Sequence, residues 1–173
     1  MSIVEIVPAE HEQQPAIANM AQLYMYDFSE FWPRESEAEL HEDGTFGALI
    51  YLDQYWLDPA REPLLVRRDG HLVGFALINA ASPSGQPVDR GMAEFFIVRR
   101  HRRNGTGRAA AHAIFAERPG QWEVPVIRAN ANALAFWRSA VASFPGVRDI
   151  EEREFDDEHW DGWILRFRCE TPS

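Results

Sequence analysis

The sequence runs to 173 residues, 46% of them apolar, with a single cysteine, Cys169, and a formal charge of −10. That length builds one domain (1–173) with a real core; a lone cysteine excludes an internal disulfide, and no apolar run could cross a bilayer as a helix. All 17 basic residues are arginines; the 12 outside residues 99–108 face 27 acids, a formal −15 that disfavours nucleic acid and anionic membranes and mildly favours a cationic small substrate. Residues 1–10 lack the charged-then-apolar pattern of a signal segment, so the expected location is the cytoplasm.

Along the chain, residues 3–7 alternate and end at Pro8, the pattern of a short strand. Ile17, Met20, Ala21, Tyr24 and Met25 recur at helical spacing, which predicts a helix over 10–26. The aromatics of residues 24–32 follow, either as core or as a ligand wall, and Pro33 breaks the run; a short helix is expected over 36–41. Residues 46–61 carry Tyr51, Asp53, Tyr55, Trp56 and Asp58. They read either as a loop near a site or as a linker packed by its own aromatics.

Residues 64–68 and 71–80 flank Asp69-Gly70, a hairpin signature. Pro83, Gly85 and Pro87 mark a loop over 82–88. Residues 90–98 read as a strand buried on both faces. A helix over 106–118 stops at Pro119-Gly120. The strand at 122–127 contains Pro125, which cannot donate to a ladder, so it lies at an edge or diverges from its neighbour. A second helix spans 131–143, and strands at 148–155 and 162–168 close the chain around an acidic turn. The elements add up to one α/β (α+β) domain with a mostly antiparallel sheet.

Between the apolar strand and the alanine-rich helix lies Arg99-Arg100-His101-Arg102-Arg103-Asn104-Gly105-Thr106-Gly107-Arg108. Glycines admit an anion to backbone N–H groups, a helix start adds partial positive charge, and arginines neutralise the rest, so this stretch is a phosphate grip. A mononucleotide P-loop needs a lysine and is excluded. Gly105-x-Gly107-x-x-Ala110 satisfies the dinucleotide pattern. Against that reading, the turn is long, the next strand ends without an acid for the ribose, and a hairpin precedes the unit.

The third reading is a family resemblance. Arg102-Arg103-Asn104-Gly105-Thr106-Gly107 matches the [Q/R]-x-x-G-x-[G/A] motif of the GNAT N-acetyltransferases, and Asn130, Ala133, Phe136 and Trp137 match N-x-x-A-x-x-F-[Y] except for the final tyrosine. The chain resembles that superfamily in outline from Ile3 to Phe167. The resemblance implies a mixed, mostly antiparallel sheet flanked by helices, with splayed central strands, and acetyl-CoA as co-substrate. It implies that the amides of Arg103, Asn104, Gly105, Thr106, Gly107 and Arg108 hold the pyrophosphate beside Arg102. The strand edge at Phe96, Ile97 and Val98 would pair with the pantetheine arm, with Asn130, Phe136 and Trp137 alongside. Pro125 would lie where the strands part. Arg99, Arg100 and Arg103 either meet the 3′-phosphate or form a solvated patch.

Acetyl transfer needs a deprotonated amine, a polarised thioester carbonyl and a proton for the leaving thiolate. Family analogy assigns the carbonyl to the N–H near Val98. Glu94, flanked by Ala93, Phe95 and Phe96, is the candidate base, since apolar neighbours raise a carboxylate pKa; the alternative is a structural glutamate. Trp137 cannot give a proton usefully, so the acid is open, with Tyr24, Tyr26, Tyr51 and Tyr55 the only tyrosines. The N-terminal helices and residues 46–61 would hold the acceptor, and Asp27, Glu30 and Asp53 among aromatics suggest a cationic amine. The expected activity is acetylation of a primary amine of a small molecule or protein. The alternative is a non-catalytic acyl-CoA sensor, and the aromatic surface allows a homodimer.

Overall fold

In the computed structural model, which describes residues 2–33 and 39–170, one seven-stranded sheet carries helices on both faces. The strands are β1 (Val4–Pro8), β2 (Glu62–Arg68), β3 (His71–Asn79), β4 (Arg90–Ile97), β5 (Gly120–Ile127), β6 (Val147–Asp156) and β7 (Asp161–Cys169). Their order is β1-β2-β3-β4-β5-β7-β6, and every pairing is antiparallel except β4–β5. The helices are α1 (Gln14–Phe28), α2 (Thr106–Glu117) and α3 (Ala131–Ala142). Among the described residues no helix is long and apolar enough to cross a membrane.

Local chemistry sets most boundaries. The β2–β3 hairpin turns on Asp69 and Gly70, both at positive φ (51° and 78°), the conformation a two-residue primed turn demands. The Asp69 carboxylate then accepts the Ile3 N–H at 2.8 Å, tying β1 to the same turn. Proline in the first turn starts α1 at Gln14, four residues later than the periodicity predicts; a 3₁₀ turn fills the gap. Of the helix expected over 36–41, residues 36–38 lie outside the described residues, and 39–41 are not helical, a correction to the expectation.

Two cores lie on opposite faces of the sheet. On one, α1 buries Ile17 and Ala21 against Leu65, Phe75, Leu77 and Phe96. Leu52 and Tyr55, on a 3₁₀ turn, belong to this core, and the Trp56 indole donates to the Ala9 carbonyl at 2.8 Å. Residues 46–61 are therefore a segment packed by its own aromatics. On the other face α2 and α3 bury Phe115 among Trp122, Phe144 and Phe167, with ring centroids 5.1–5.7 Å apart.

The sheet opens at its centre. β4 and β5 pair only at Arg90–Trp122 and Gly91–Glu123 and then part. Pro125 comes two residues beyond the last pair and keeps its place opposite Ile164 of β7. It is a point of divergence rather than an edge, since the ladder on its other side has ended. This also corrects the expectation that β4 is buried on both faces. Ala93, Glu94 and Phe95 are only half-buried, because the neighbouring strand has left them. Ala93 is moreover an extra residue against β3, whose Leu77 and Ile78 face Glu94 and Met92, a bulge that re-aims the side chains beside the gap.

Candidate active site

The gap between β4 and β5 is a cleft of about 480 Å³. Glu94 and Phe95 line it from β4, Val124 to Ile127 from β5, Asn130, Ala133 and Trp137 from the start of α3, and Tyr24 and Phe28 from α1. The loop after β3 contributes Ser82 and Pro83, and the β6–β7 turn contributes Trp160. Among the described residues no cluster of His, Cys, Asp or Glu could hold a metal.

Glu94 meets Tyr24 here. The Tyr24 hydroxyl donates to Glu94 Oε2 at 2.5 Å, joining α1 to β4 across 70 residues of sequence. Burial pushes the Glu94 carboxyl above its ordinary range, and the bond from Tyr24 offsets part of the rise. Burial, then the Glu94 charge and the hydrogen bond, hold the Tyr24 phenol well above its usual value. At neutral pH the phenol therefore keeps its proton and serves as donor. The other three tyrosines do not line the cleft.

The glycine loop runs into α2. Asn104 Oδ1 accepts from both the N–H (3.3 Å) and the hydroxyl (2.8 Å) of Thr106, whose Oγ1 also accepts from Arg68 at 2.6 Å. These side chains shape the turn. They leave the amides of Arg103, Asn104, Gly105, Gly107 and Arg108 without a protein acceptor among the described residues. The two glycines differ in purpose. Gly105 adopts φ +86° with open space where a Cβ would stand, whereas a Cβ on Gly107 would come within 3.2 Å of the Phe136 ring. Gly107 thus lets α2 approach α3, and Phe136, which also stacks on Phe95 at 5.8 Å, is a wall of that contact rather than of the cleft.

Two arginines of the 99–108 stretch are already engaged. Arg99 bonds Asp27 at 2.6 and 3.0 Å, and Arg102 bonds both Asp27 and the Ile97 carbonyl, the latter at 2.6 Å. Burial raises the Asp27 carboxyl, but the two arginines outweigh it and leave it below its ordinary range. Arg100, Arg103 and Arg108 are exposed and form no ion pair among the described residues, so they are the cations open to a phosphate.

The strand edge differs from the expectation. Val98 N–H is taken by the Val73 carbonyl at 2.9 Å, so it cannot polarise a thioester. An antiparallel ladder alternates, which turns the backbone groups of Phe96 toward β3 as well. Phe95 and Ile97 instead present unpaired N–H groups to the gap. Asn130 caps α3 by accepting the Ala133 N–H at 3.0 Å. Trp137 is buried against Phe95 and Phe136, with centroids at 5.0 and 4.9 Å. Asp27, Glu30 and Asp53 do not line the cleft. Ser82, Pro83 and Trp160 do, and the sequence reading passed over them; a lone tryptophan in an acidic turn was the available signal.

A splayed sheet followed by a helix-start amide loop is the arrangement that the resemblance to the acyl-CoA-dependent transferases implies. Residues 17–140 match the model of the acetyltransferase (GNAT) family, and the chain belongs to that family. No curated protein matches the sequence. Among solved structures, an acetyltransferase from Thermus thermophilus is similar at 15% identity and a TM-score of 0.67, with 97% of each chain covered. The PaiA N-acetyltransferase of Thermoplasma acidophilum, solved with coenzyme A, matches at 12% identity and TM-score 0.58 over 95% of this chain and 98% of that one. A spermidine N-acetyltransferase chimera of Vibrio cholerae SpeG and hSSAT matches at 13% and 0.52, covering 97% and 96%. At these identities the likeness is one of fold.

The family's acetyl-CoA fits the chemistry of the residues present: amides at a helix start without a protein acceptor and three arginines without an ion pair among the described residues, and a strand edge whose pairing has ended. Gly105→Glu tests the fit. At 100 Kd of acetyl-CoA the wild-type protein should gain about 2.7 kcal/mol, read as a rise in Tm. The variant, with a carboxylate where an anion belongs, should still fold and lose that rise. An unchanged rise would place the donor elsewhere.

Proposed function

We propose that this chain moves an acetyl group from acetyl-CoA to a primary amine by direct attack within a ternary complex. The observation that carries the reading is the Tyr24–Glu94 pair, set in the cleft where the strands part. The donor supplies an activated thioester. The amides of residues 103–108 and the open arginines would bind its phosphates, and the Phe95 and Ile97 amides would take the pantetheine arm and the thioester carbonyl.

Glu94 Oε takes the proton from the incoming ammonium, a task suited to a carboxylate raised by burial. Tyr24 Oη then passes its proton toward the departing sulfur while regaining one from Glu94. The exchange matters, because a phenol held this high would not surrender a proton unaided. Arg99 and Arg102, through Asp27 one turn beyond Tyr24, keep α1 in place beside the loop. All these groups come from one chain, so the chemistry needs no second copy.

The sensor alternative drew its support from the missing tyrosine at Trp137. Tyr24, reaching Glu94 from another helix, offers a proton donor in that tyrosine's place and so supports the transferase reading. The deciding measurement is release of free CoA from acetyl-CoA across a panel of amines. Turnover with at least one amine is expected; acetyl-CoA that raises Tm yet yields no CoA with any of them would favour the sensor.

A further inference from the structure

The cleft runs through the sheet from one face to the other. Phe95 packs with the core under α2 and α3, whereas Phe96 packs under α1, and Glu94 reaches Tyr24 on that same helix. The amide loop opens α2, so the amine approaches from the α1 face. The charge there is one-sided. Glu94 is the only carboxylate lining the cleft among the described residues, and no arginine or histidine joins it. Asn79, Ser82, Asn130 and Trp160 provide neutral polar groups.

Arg99 and Arg102 hold Asp27, and Arg61 holds Asp58 at 3.4 Å, and among the described residues no arginine lines the cleft to meet an incoming carboxylate. Asp53 accepts from the Gln14 amide. Among the described residues a second ammonium on the acceptor would find no second carboxylate in the cleft lining. The lining also includes Phe28 of α1, Pro83 and Trp160, a surface for an aromatic or aliphatic body.

We infer that the acceptor is a small monoamine, its nitrogen on a short arm of an aromatic or apolar body, with no carboxylate on the carbon bearing that nitrogen. A carboxylate at that carbon would enter the cleft beside Glu94 with no cation lining it among the described residues, and unpaired buried charge is rejected strongly. This rests on the transferase reading above.

The test is steady-state CoA release by the wild-type protein with phenethylamine, phenylalanine and spermidine as acceptors. The kcat/KM for phenethylamine should exceed that for each of the other two by at least about tenfold. Phenylalanine or spermidine used as well as phenethylamine would overturn the assignment and leave the transferase reading standing. No release from any acceptor, with acetyl-CoA still raising Tm, would overturn both.

Discussion

Glu94→Gln is expected to lower kcat by roughly 10²–10⁴, the range that a positioned general base supplies. The acetyl-CoA-induced rise in Tm should be unaffected, since Glu94 lies away from the amide loop. Burial places the wild-type carboxyl above its ordinary range. The active form is the ionised one, so the rate should climb with pH through that raised value, and the variant should lose the climb. Stability moves the other way. A raised folded pKa adds stability that is complete below the unfolded value and disappears as pH rises through the folded one. Glutamine, neutral throughout, should match the wild type in acid and be relatively more stable near neutrality. A variant with wild-type rate and pH profile removes Glu94 as the base.

Arg166→Ala should cost about 3–5 kcal/mol, because it strands a buried charge. Glu123 is 1% exposed; its carboxylate accepts from Arg166 at 2.5 Å and from Ser84 at 2.7 Å. Arg166 also donates to the Pro87 carbonyl at 3.0 Å. Glu123 stands opposite Gly91 in the last pair before β4 and β5 separate. The ion pair therefore pins the vertex of the cleft, and the expected fall in Tm is of order 10 °C for a chain this long. Chemical denaturation measures it directly. A loss below about 1 kcal/mol would show the charge relieved by water. Adding Glu123→Leu to the variant should restore much of the loss, since the stranded charge goes with it.

What the sequence made legible was local. Asp69-Gly70 announced the hairpin, Pro119-Gly120 the end of α2, and Pro125 the parting of the strands. The glycine motif and Asn130 were visible as a motif pair through their spacing along adjoining elements. What stayed hidden depends on contacts across the fold. Nothing in the spacing of Tyr24 and Glu94, 70 residues apart, says that they share a hydrogen bond. Asp27 read as a candidate for an amine until Arg99 and Arg102 were seen to hold it. The Val98 amide was assigned by analogy, and only the register against Val73 shows it engaged. Residues 46–61 carry aromatics without a period, so their burial under α1 could not be read from pattern.

A thioester gathered by the basic loop of residues 99–108 would ordinarily threaten the side chains that gather it, because a lysine amine with a free lone pair is itself an acyl acceptor. Guanidinium stays protonated at any pH a protein meets and offers no such lone pair. With 17 arginines and no lysine, the chain presents no side-chain amine to its own donor. Its single thiol, Cys169, is buried, with its pKa pushed up to about 12. A charge of this kind would be chemically inert toward the reagent it gathers, and neither a side-chain amine nor a ready thiolate would compete with an acceptor for the acetyl group.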